Sequence, residues 1–349
     1  MKTVARYTGV AMRLFRIEAS GVRTALSAVL PLIVGQALGH AAQGLLVGLG
    51  GLYLSITDKE GSTFASLVAA ALVNGAALLA GSLCGNDPRL SMSAMFAWAF
   101  VGGMASAYGE VAMQIGFISA VTFAVALGLP AGFAAASERT GLFVAGGALG
   151  VALTLTLWRL HQQTSELSET PDVESQELSD GAGGGFFGRS LRHLTFRSII
   201  FRHALRLAVA ATIAVAVFKF LRLERGYWVI ITVLVIVKPV FADTRRRALE
   251  RVLGSVAGGA FAALLAASIH NIIALDALLL VFSVLAYSHV RENYGIYVLF
   301  LTPFVILMIE TAEPTDWHVA FVRIGNTLLG GAIAITVSYL LRPKAAFGW

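Results

Sequence analysis

The chain consists of apolar runs separated by short polar breaks. An α-helix needs about 20 apolar residues to cross a bilayer core of about 30 Å. Six runs of this kind precede the middle of the chain and six follow it, which predicts an all-α, polytopic membrane protein with about 12 transmembrane helices. The predicted spans are 22–39, 41–57, 63–85, 91–108, 111–129, 140–158, 203–221, 227–242, 248–268, 272–288, 294–311 and 319–341.

A polar segment at 161–196 separates the two groups of spans. Between Glu166 and Asp180 it carries six acidic residues and no basic residue, and a run of glycines follows. Such a composition cannot bury a core, so it predicts a disordered cytoplasmic linker. The linker would join a first six-helix membrane repeat at 22–160 to a second at 197–345.

The two halves match each other at an offset of 179 residues. Each half has a basic stretch before its first span and a polar break after its second. An even number of spans returns the chain to the side on which it began, so the halves are predicted to be parallel repeats related by an axis along the membrane normal. The matching positions are Arg13 with Arg192, Arg23 with Arg202, Ala25-Leu26 with Ala204-Leu205, and Lys59 with Lys238.

The segment 1–21 predicts an amphipathic helix that lies in the membrane interface. At 100° per residue, Lys2, Arg6, Arg13 and Arg16 fall on one face, and apolar residues fall on the opposite face.

Composition excludes a soluble α/β enzyme, because 57% of the residues are hydrophobic, 13% are charged and the mean hydropathy is +0.77. The net charge of +6 does not point to nucleic acid, because the basic residues cluster beside apolar spans. With the N-terminus inside, most of the 26 lysines and arginines lie on the cytoplasmic side, which predicts cytoplasmic termini. The basic residues left outside are Arg89, Arg139, Lys219, Arg222, Arg225 and Arg323.

The second-half break, within Gly226–Gly259, is the most polar stretch between apolar walls. If 243–258 is helical, Asp243, Arg247 and Arg251 share one face at i, i+4 spacing. An arginine at membrane depth is costly unless it meets water or a partner, so a buried Arg251 would mark an anion path. The alternative is a loop of cytoplasmic charges in which Arg247 pairs with Asp243.

Lys238 and Pro239 stand at the centre of this break. Pro239 has no N–H and predicts a helix break, where Lys238 could attract a carboxylate or could extend towards the headgroups. At the other end of the span, Tyr227 and Trp228 either anchor the helix at the headgroups or stack on a bound ring. Thr232, in the run between them, completes the predicted substrate path.

Asp58, in the corresponding break of the first half, is the candidate for coupling transport to a proton gradient. The alternative is a carboxylate in a solvated loop. The sequence has no Walker A motif, nucleophile elbow or zinc-binding motif, and Cys84 is its single cysteine. We therefore expect no enzyme activity, no cofactor and no metal site.

The region 200–343 resembles the fusaric acid resistance and aromatic acid exporter family of inner-membrane proteins. Many relatives carry Asp-Thr where this chain has Asn326-Thr327, and the large soluble domains of longer members are absent. The motifs that carry the resemblance are Tyr227-Trp228, Pro239, Thr244, Arg251, Gly254-Ser255-Val256-Ala257-Gly258, Asn293-Tyr294, Thr302-Pro303, Arg323 to Gly330, and Arg342-Pro343.

The resemblance implies a secondary transporter of the inner membrane that exports small aromatic or organic carboxylates. Two alternatives stay open. One is a passive organic-anion channel like the related plant malate channels, and the other is a non-transporting assembly protein whose linker binds a partner. The expected partners are a small organic anion and membrane lipids, with association into homo-oligomers as an option, and not nucleic acid.

Overall fold

The computed structural model describes residues 17–58, 62–165, 198–269, 271–290, 292–312 and 318–341. These ranges contain α-helices, one short 3₁₀ turn and no strand. Most of the predicted interfacial helix at 1–21 and most of the predicted linker at 161–196 lie outside the described residues. The helices are α1 (Ala19–Ala37), α2 (Ala41–Thr57), α3 (Phe64–Cys84), α4 (Pro88–Met104), α5 (Glu110–Leu127), α6 (Phe133–Ser165), α7 (Ile199–Phe220), α8 (Tyr227–Ile236), α9 (Phe241–Ser268), α10 (Ile272–His289), α11 (Tyr294–Ala312) and α12 (His318–Leu340).

Eight of the described helical segments are long and apolar enough to cross a membrane. The prediction of an all-α, polytopic membrane protein is therefore confirmed. Three further helices, α2, α8 and α11, are apolar but contribute shorter apolar stretches.

The predicted span 227–242 is wrong as a single helix. Helix α8 has ten residues and ends at Ile236, which at 1.5 Å per residue covers only about 15 Å. The backbone is extended at Val237 and Val240, and α9 begins at Phe241, earlier than predicted. We call residues 237–240 the α8–α9 break. Because the chain is not helical there, backbone groups at this depth need other partners.

Helices in the two halves pack in the same order. In the first half α1 packs on α2, α2 on α6, α3 on α5 and α6, and α4 on α5. In the second half α7 packs on α8, α8 on α12, α9 on α11 and α12, and α10 on α11. The contacts between the halves are reciprocal, since α4 meets α7 as α10 meets α1, and α5 meets α8 as α11 meets α2.

Glycines bring the backbones of α2 and α6 into direct contact. A Cβ added at Gly146 would overlap the carbonyl of Val47, and one added at Gly50 would overlap the carbonyl of Phe143. Small residues of this kind let membrane helices approach closely and gain dispersion contacts. By contrast, a Cβ at Gly141, earlier on α6, would meet nothing within 4 Å.

We expect Gly146→Ala to lower the apparent melting temperature of the protein in detergent. Forcing an extra methyl group into a closed helix contact costs about 1–3 kcal/mol. The matched control, Gly141→Ala on the same helix, should leave the melting temperature unchanged or raise it, because alanine favours the helix by about 1 kcal/mol. Equal melting temperatures for the two variants, measured by size-exclusion chromatography after heating, would contradict this account of the packing.

Candidate functional site: a helix break and unpaired arginines

The α8–α9 break is held by two buried polar side chains. Thr244 Oγ1, on the first turn of α9, accepts a hydrogen bond from the backbone N–H of Lys238 at 3.0 Å. Arg206 of α7 donates from one nitrogen to the carbonyls of Lys238 and Pro239, at 3.2 and 3.1 Å. Because no bulk water reaches backbone groups inside a bilayer, such contacts replace the missing helical hydrogen bonds.

We expect Thr244→Val to destabilise the break, since valine keeps the shape of threonine but cannot accept a hydrogen bond. A buried N–H left without its partner costs about 1–3 kcal/mol. Thr244→Ser, which keeps the hydroxyl, is the control and should stay closer to the parent protein. Thermal unfolding in detergent measures the difference, and a Thr244→Val variant as stable as Thr244→Ser would show that the hydroxyl does not hold the break.

On α9, Arg247 and Arg251 both reach Tyr294 at the start of α11. Arg251 Nη1 lies 3.5 Å from the Tyr294 hydroxyl, and the Arg247 guanidinium lies 3.9 Å from the centre of the Tyr294 ring. Arg251 is only 5% exposed. Asp243 is exposed, and the described residues contain no ion pair between Asp243 and Arg247. The two arginines therefore share one aromatic partner.

A further buried arginine, Arg323, approaches from α12. It is 3% exposed, and its guanidinium lies 5.0 Å from the centre of the Trp228 ring. Arg323 is also close enough to Arg251 for the two charges to interact. Trp228 is 4% exposed and faces the protein interior, which does not fit a headgroup anchor. Arg323, which the sequence analysis counted among the basic residues on the outer side, is therefore buried beside an aromatic ring.

Tyrosines from both halves complete the surroundings of these arginines. The hydroxyls of Tyr287 and Tyr297 hydrogen bond to each other, and the Tyr297 ring lies 5.8 Å from that of Tyr294. Tyr53 of α2, in the first half, is near enough to Tyr297 to interact with it electrostatically, although both side chains keep some accessible surface. These arginines and tyrosines therefore lie where the two halves meet.

We call Arg251, Arg323, Tyr53, Tyr294 and Tyr297 the arginine–tyrosine cluster. Among the described residues no carboxylate pairs with either arginine, and the Nε atoms of both have no hydrogen-bond partner. A charged side chain at membrane depth costs about 2.5–3.5 kcal/mol on insertion scales. Arginine offers a planar fork of donors that matches a carboxylate, so this arrangement is chemically suited to bind an organic anion.

Other predicted path residues lie outside this cluster. The Lys238 side chain is half-buried on the side of His203, and Thr232 is fully buried against Gly330 of α12. Tyr227 packs on Gly128 at the end of α5, with its ring 5.6 Å from that of Trp228.

Asp58, the predicted coupling residue, does not lie in a solvated loop. It is 7% exposed and forms an ion pair of 2.5 Å with Arg23 of α1. Arg23 thus holds the end of α2, as Arg206 holds the end of α8. Within the described part of the chain, no group of three or more His, Cys, Asp or Glu residues is placed to hold a metal ion.

Residues 211–337 match a family model described as fusaric acid resistance protein-like. The second half of the chain is therefore similar to this family over most of its length. The resemblance found in the sequence is thereby confirmed. The matched residues include Trp228, Arg251, Tyr294 and Arg323, so the cationic part of the arginine–tyrosine cluster belongs to the fusaric acid resistance-like region.

Three curated proteins show similar identity over about half of this chain. An uncharacterized protein of Haemophilus influenzae is 30% identical over 185 residues, covering 52% of this chain and 26% of that protein. The inner membrane protein YccS of Escherichia coli is 29% identical over 171 residues, covering 48% and 24%. The uncharacterized protein slr1298 of Synechocystis is 25% identical over 186 residues, covering 51% and 24%.

The matched part of this chain thus spans about a quarter of the length of these relatives. No solved structure matches the chain.

Sequence reasoning missed Arg206, Arg323 and Tyr53 as site residues. A signal for the two arginines is present, because each lies inside a predicted apolar span, and an ionisable residue within a membrane span is a functional candidate by default. Tyr53 carries no such signal, since one tyrosine in an apolar helix is common. Only its position opposite Tyr297 connects it to the site.

Proposed function

We propose that this protein is a secondary transporter that exports small aromatic or organic carboxylates across the inner membrane. The observation that carries the proposal is the burial of Arg251 and Arg323 without a carboxylate partner among the described residues. A substrate carboxylate would supply the missing negative charge through charge-assisted hydrogen bonds. The rings of Trp228, Tyr294 and Tyr297 offer apolar and cation-stabilising surfaces beside it, which suits an aromatic or similarly flat substrate.

The proposed architecture is two parallel six-helix repeats with the substrate path between them. Support comes from the shared order of the main helix contacts within the halves and from the reciprocal contacts between them. Tyr53 of the first half adds to this, because it faces residues of the second. A fused pair of repeats supplies within one chain the pseudo-symmetric partner that a single repeat would obtain by dimerising.

We place the protein in the inner membrane with cytoplasmic termini. The asymmetric distribution of lysine and arginine supports this orientation, and the match to the inner membrane protein YccS supports the location. In this orientation the α8–α9 break and Arg247 lie towards the cytoplasm, and Arg323 lies towards the outer side. An anion leaving the cell would therefore meet Arg247 and Arg251 before Arg323.

Gradient coupling would use a carboxylate whose protonation changes during transport. Asp58 is the candidate from the sequence, and its ion pair with Arg23 links its protonation to the positions of α1 and α2. Protonation of Asp58 would leave Arg23 without its buried partner, so α1 and the end of α2 would have to rearrange.

We expect Arg251→Ala and Arg323→Ala to lower transport strongly. Losing a hydrogen bond to a charged group costs about 1.5–3 kcal/mol, or roughly a 10- to 150-fold weaker interaction with the substrate. Arg251→Lys should lower transport partly, because lysine keeps the charge without the planar fork, and Lys238→Ala should lower it less than Arg251→Ala. The measurement is uptake of radiolabelled 4-hydroxybenzoate or malate into proteoliposomes, with and without a pH gradient.

The matched control is Arg245→Ala, because Arg245 is an exposed arginine on the same helix. It should transport like the parent protein. If Arg251→Ala also transported like the parent at equal membrane abundance, Arg251 would only help to set the orientation of the protein in the membrane, and the site assignment would be wrong. Electrogenic flux without coupling to any gradient would favour the channel, and no flux of either kind would favour the assembly protein.

We expect a single cysteine at Ser175 to be labelled from the cytoplasmic side, because an even number of spans precedes it. The variant Ser175→Cys in a Cys84→Ser background should react with a membrane-impermeant maleimide in inverted vesicles and not in intact cells with a permeabilised outer membrane. Labelling from the outer side alone would contradict the proposed orientation.

A further inference from the structure

We propose that Asp276 of α10 takes up the coupling proton on the outer side of the membrane, in addition to the candidate Asp58 on the cytoplasmic side. The inference rests on the proposed transport function and on the proposed orientation. It concerns a carboxylate that stands apart from the arginine–tyrosine cluster and from the ion pair of Asp58. No motif of the sequence singles out this residue.

Asp276 lies inside a membrane-crossing helix, at the junction of the two halves. It follows the start of α10 by four residues, or about 6 Å along the helix axis. Helix α10 packs on α1, and the two run in opposite directions. At one end the Ser288 hydroxyl accepts from the backbone N–H of Glu18 at 3.0 Å, and at the other end the Gln36 side chain hydrogen bonds to Asp276.

Among the described residues, no cation forms an ion pair with the Asp276 carboxylate. Its Oδ1 atom is enclosed and has no hydrogen-bond partner, and no ion pair of the described residues includes it. Gln36 supplies a neutral amide, which can donate to the charged carboxylate and can accept from the protonated one. A proton on Asp276 would therefore leave no cation unpaired, whereas a proton on Asp58 would leave Arg23 without its partner.

On α1, α10 and α11, most other titratable groups lie at the end of the helix away from Asp276. On α1 the nearest is Arg23, thirteen residues or about 20 Å along the axis from Gln36. On α10 they are Tyr287 and His289, and on α11 they are Tyr294 and Tyr297, all at the end that meets the start of α1. Towards the end of Asp276 lie Glu310, within the last turn of α11, and the exposed His40, between α1 and α2.

The position of Asp276 gives protonation a route to the rest of the molecule. A proton from the outer side would turn the carboxylate from an acceptor into a donor towards Gln36 and change the contact between α1 and α10. Helix α1 carries Arg23 at its other end, where that residue pairs with Asp58. Protonation on one side of the membrane and the ion pair on the other would thus act on the same helix, at a junction between the halves.

The test separates gradient-driven accumulation from exchange in proteoliposomes. With labelled 4-hydroxybenzoate, Asp276→Asn should show no accumulation driven by a pH gradient above that of protein-free liposomes. Exchange of labelled for unlabelled substrate without a gradient should match the parent, because the arginines are untouched. Asp276→Glu should keep accumulation, and Glu138→Gln, at an exposed carboxylate of α6, should behave like the parent.

Unchanged accumulation in a monodisperse Asp276→Asn protein would overturn the proposal, as would accumulation driven by sodium in place of protons. Loss of exchange in the parent protein itself would instead refute the proposed transport function. A second readout does not depend on transport. Infrared difference spectra on acidification contain C=O bands from every carboxyl group that takes up a proton, and one of these bands should be present in the parent and absent in Asp276→Asn. Identical C=O bands in the two proteins would also overturn the assignment.

Discussion

The cost of holding a cationic side chain where water is scarce governs this structure. Four buried or nearly buried arginines meet that cost in different ways. Arg23 pairs with a carboxylate, and Arg206 donates to the carbonyls of the α8–α9 break. Among the described residues, Arg251 contacts the Tyr294 hydroxyl, Arg323 lies over the Trp228 ring, and neither pairs with a carboxylate, which leaves part of their charge and hydrogen-bonding capacity unused. The first pair holds the fold together, and the second pair is chemically ready for an anion.

The α8–α9 break positions the arginines of the candidate site. Thr244 accepts a hydrogen bond from the backbone N–H of Lys238, and Arg206 donates to the carbonyls of Lys238 and Pro239. What the break provides is an early start for α9, so that Arg247 and Arg251 emerge on the turns that face Tyr294. A continuous helix over 227–242 would have moved the start of α9 and with it the register of both arginines. The hydrogen bonds at the break thus stabilise the early start of α9, and this start directs Arg247 and Arg251 towards Tyr294.

The two halves share their packing order but differ in chemistry. The first half closes its α1–α2 end with an ion pair, while the second closes the corresponding end with arginine and backbone carbonyls. In the proposed transporter the two tasks fall on different parts of the chain. The second half supplies the arginines that bind the substrate, and the two carboxylates proposed to take up protons, Asp58 and Asp276, both lie against α1. Similar scaffolds with different buried charges allow such a division within one chain.

The sequence alone determined the all-helical membrane class, the fusaric acid resistance-like motifs and the presence of an arginine-rich polar break. These follow from local properties, because the bilayer demands long apolar helices whatever their neighbours are. Tertiary structure decided the rest: Arg323 lies over Trp228, Arg206 fills the break, Tyr53 crosses to the other half and Asp276 meets Gln36. Each of these contacts joins residues from different helices, and the rotation of a helix about its axis depends on every helix packed against it. A uniformly apolar helix such as α8 leaves no stripe in the sequence to reveal which side faces inward.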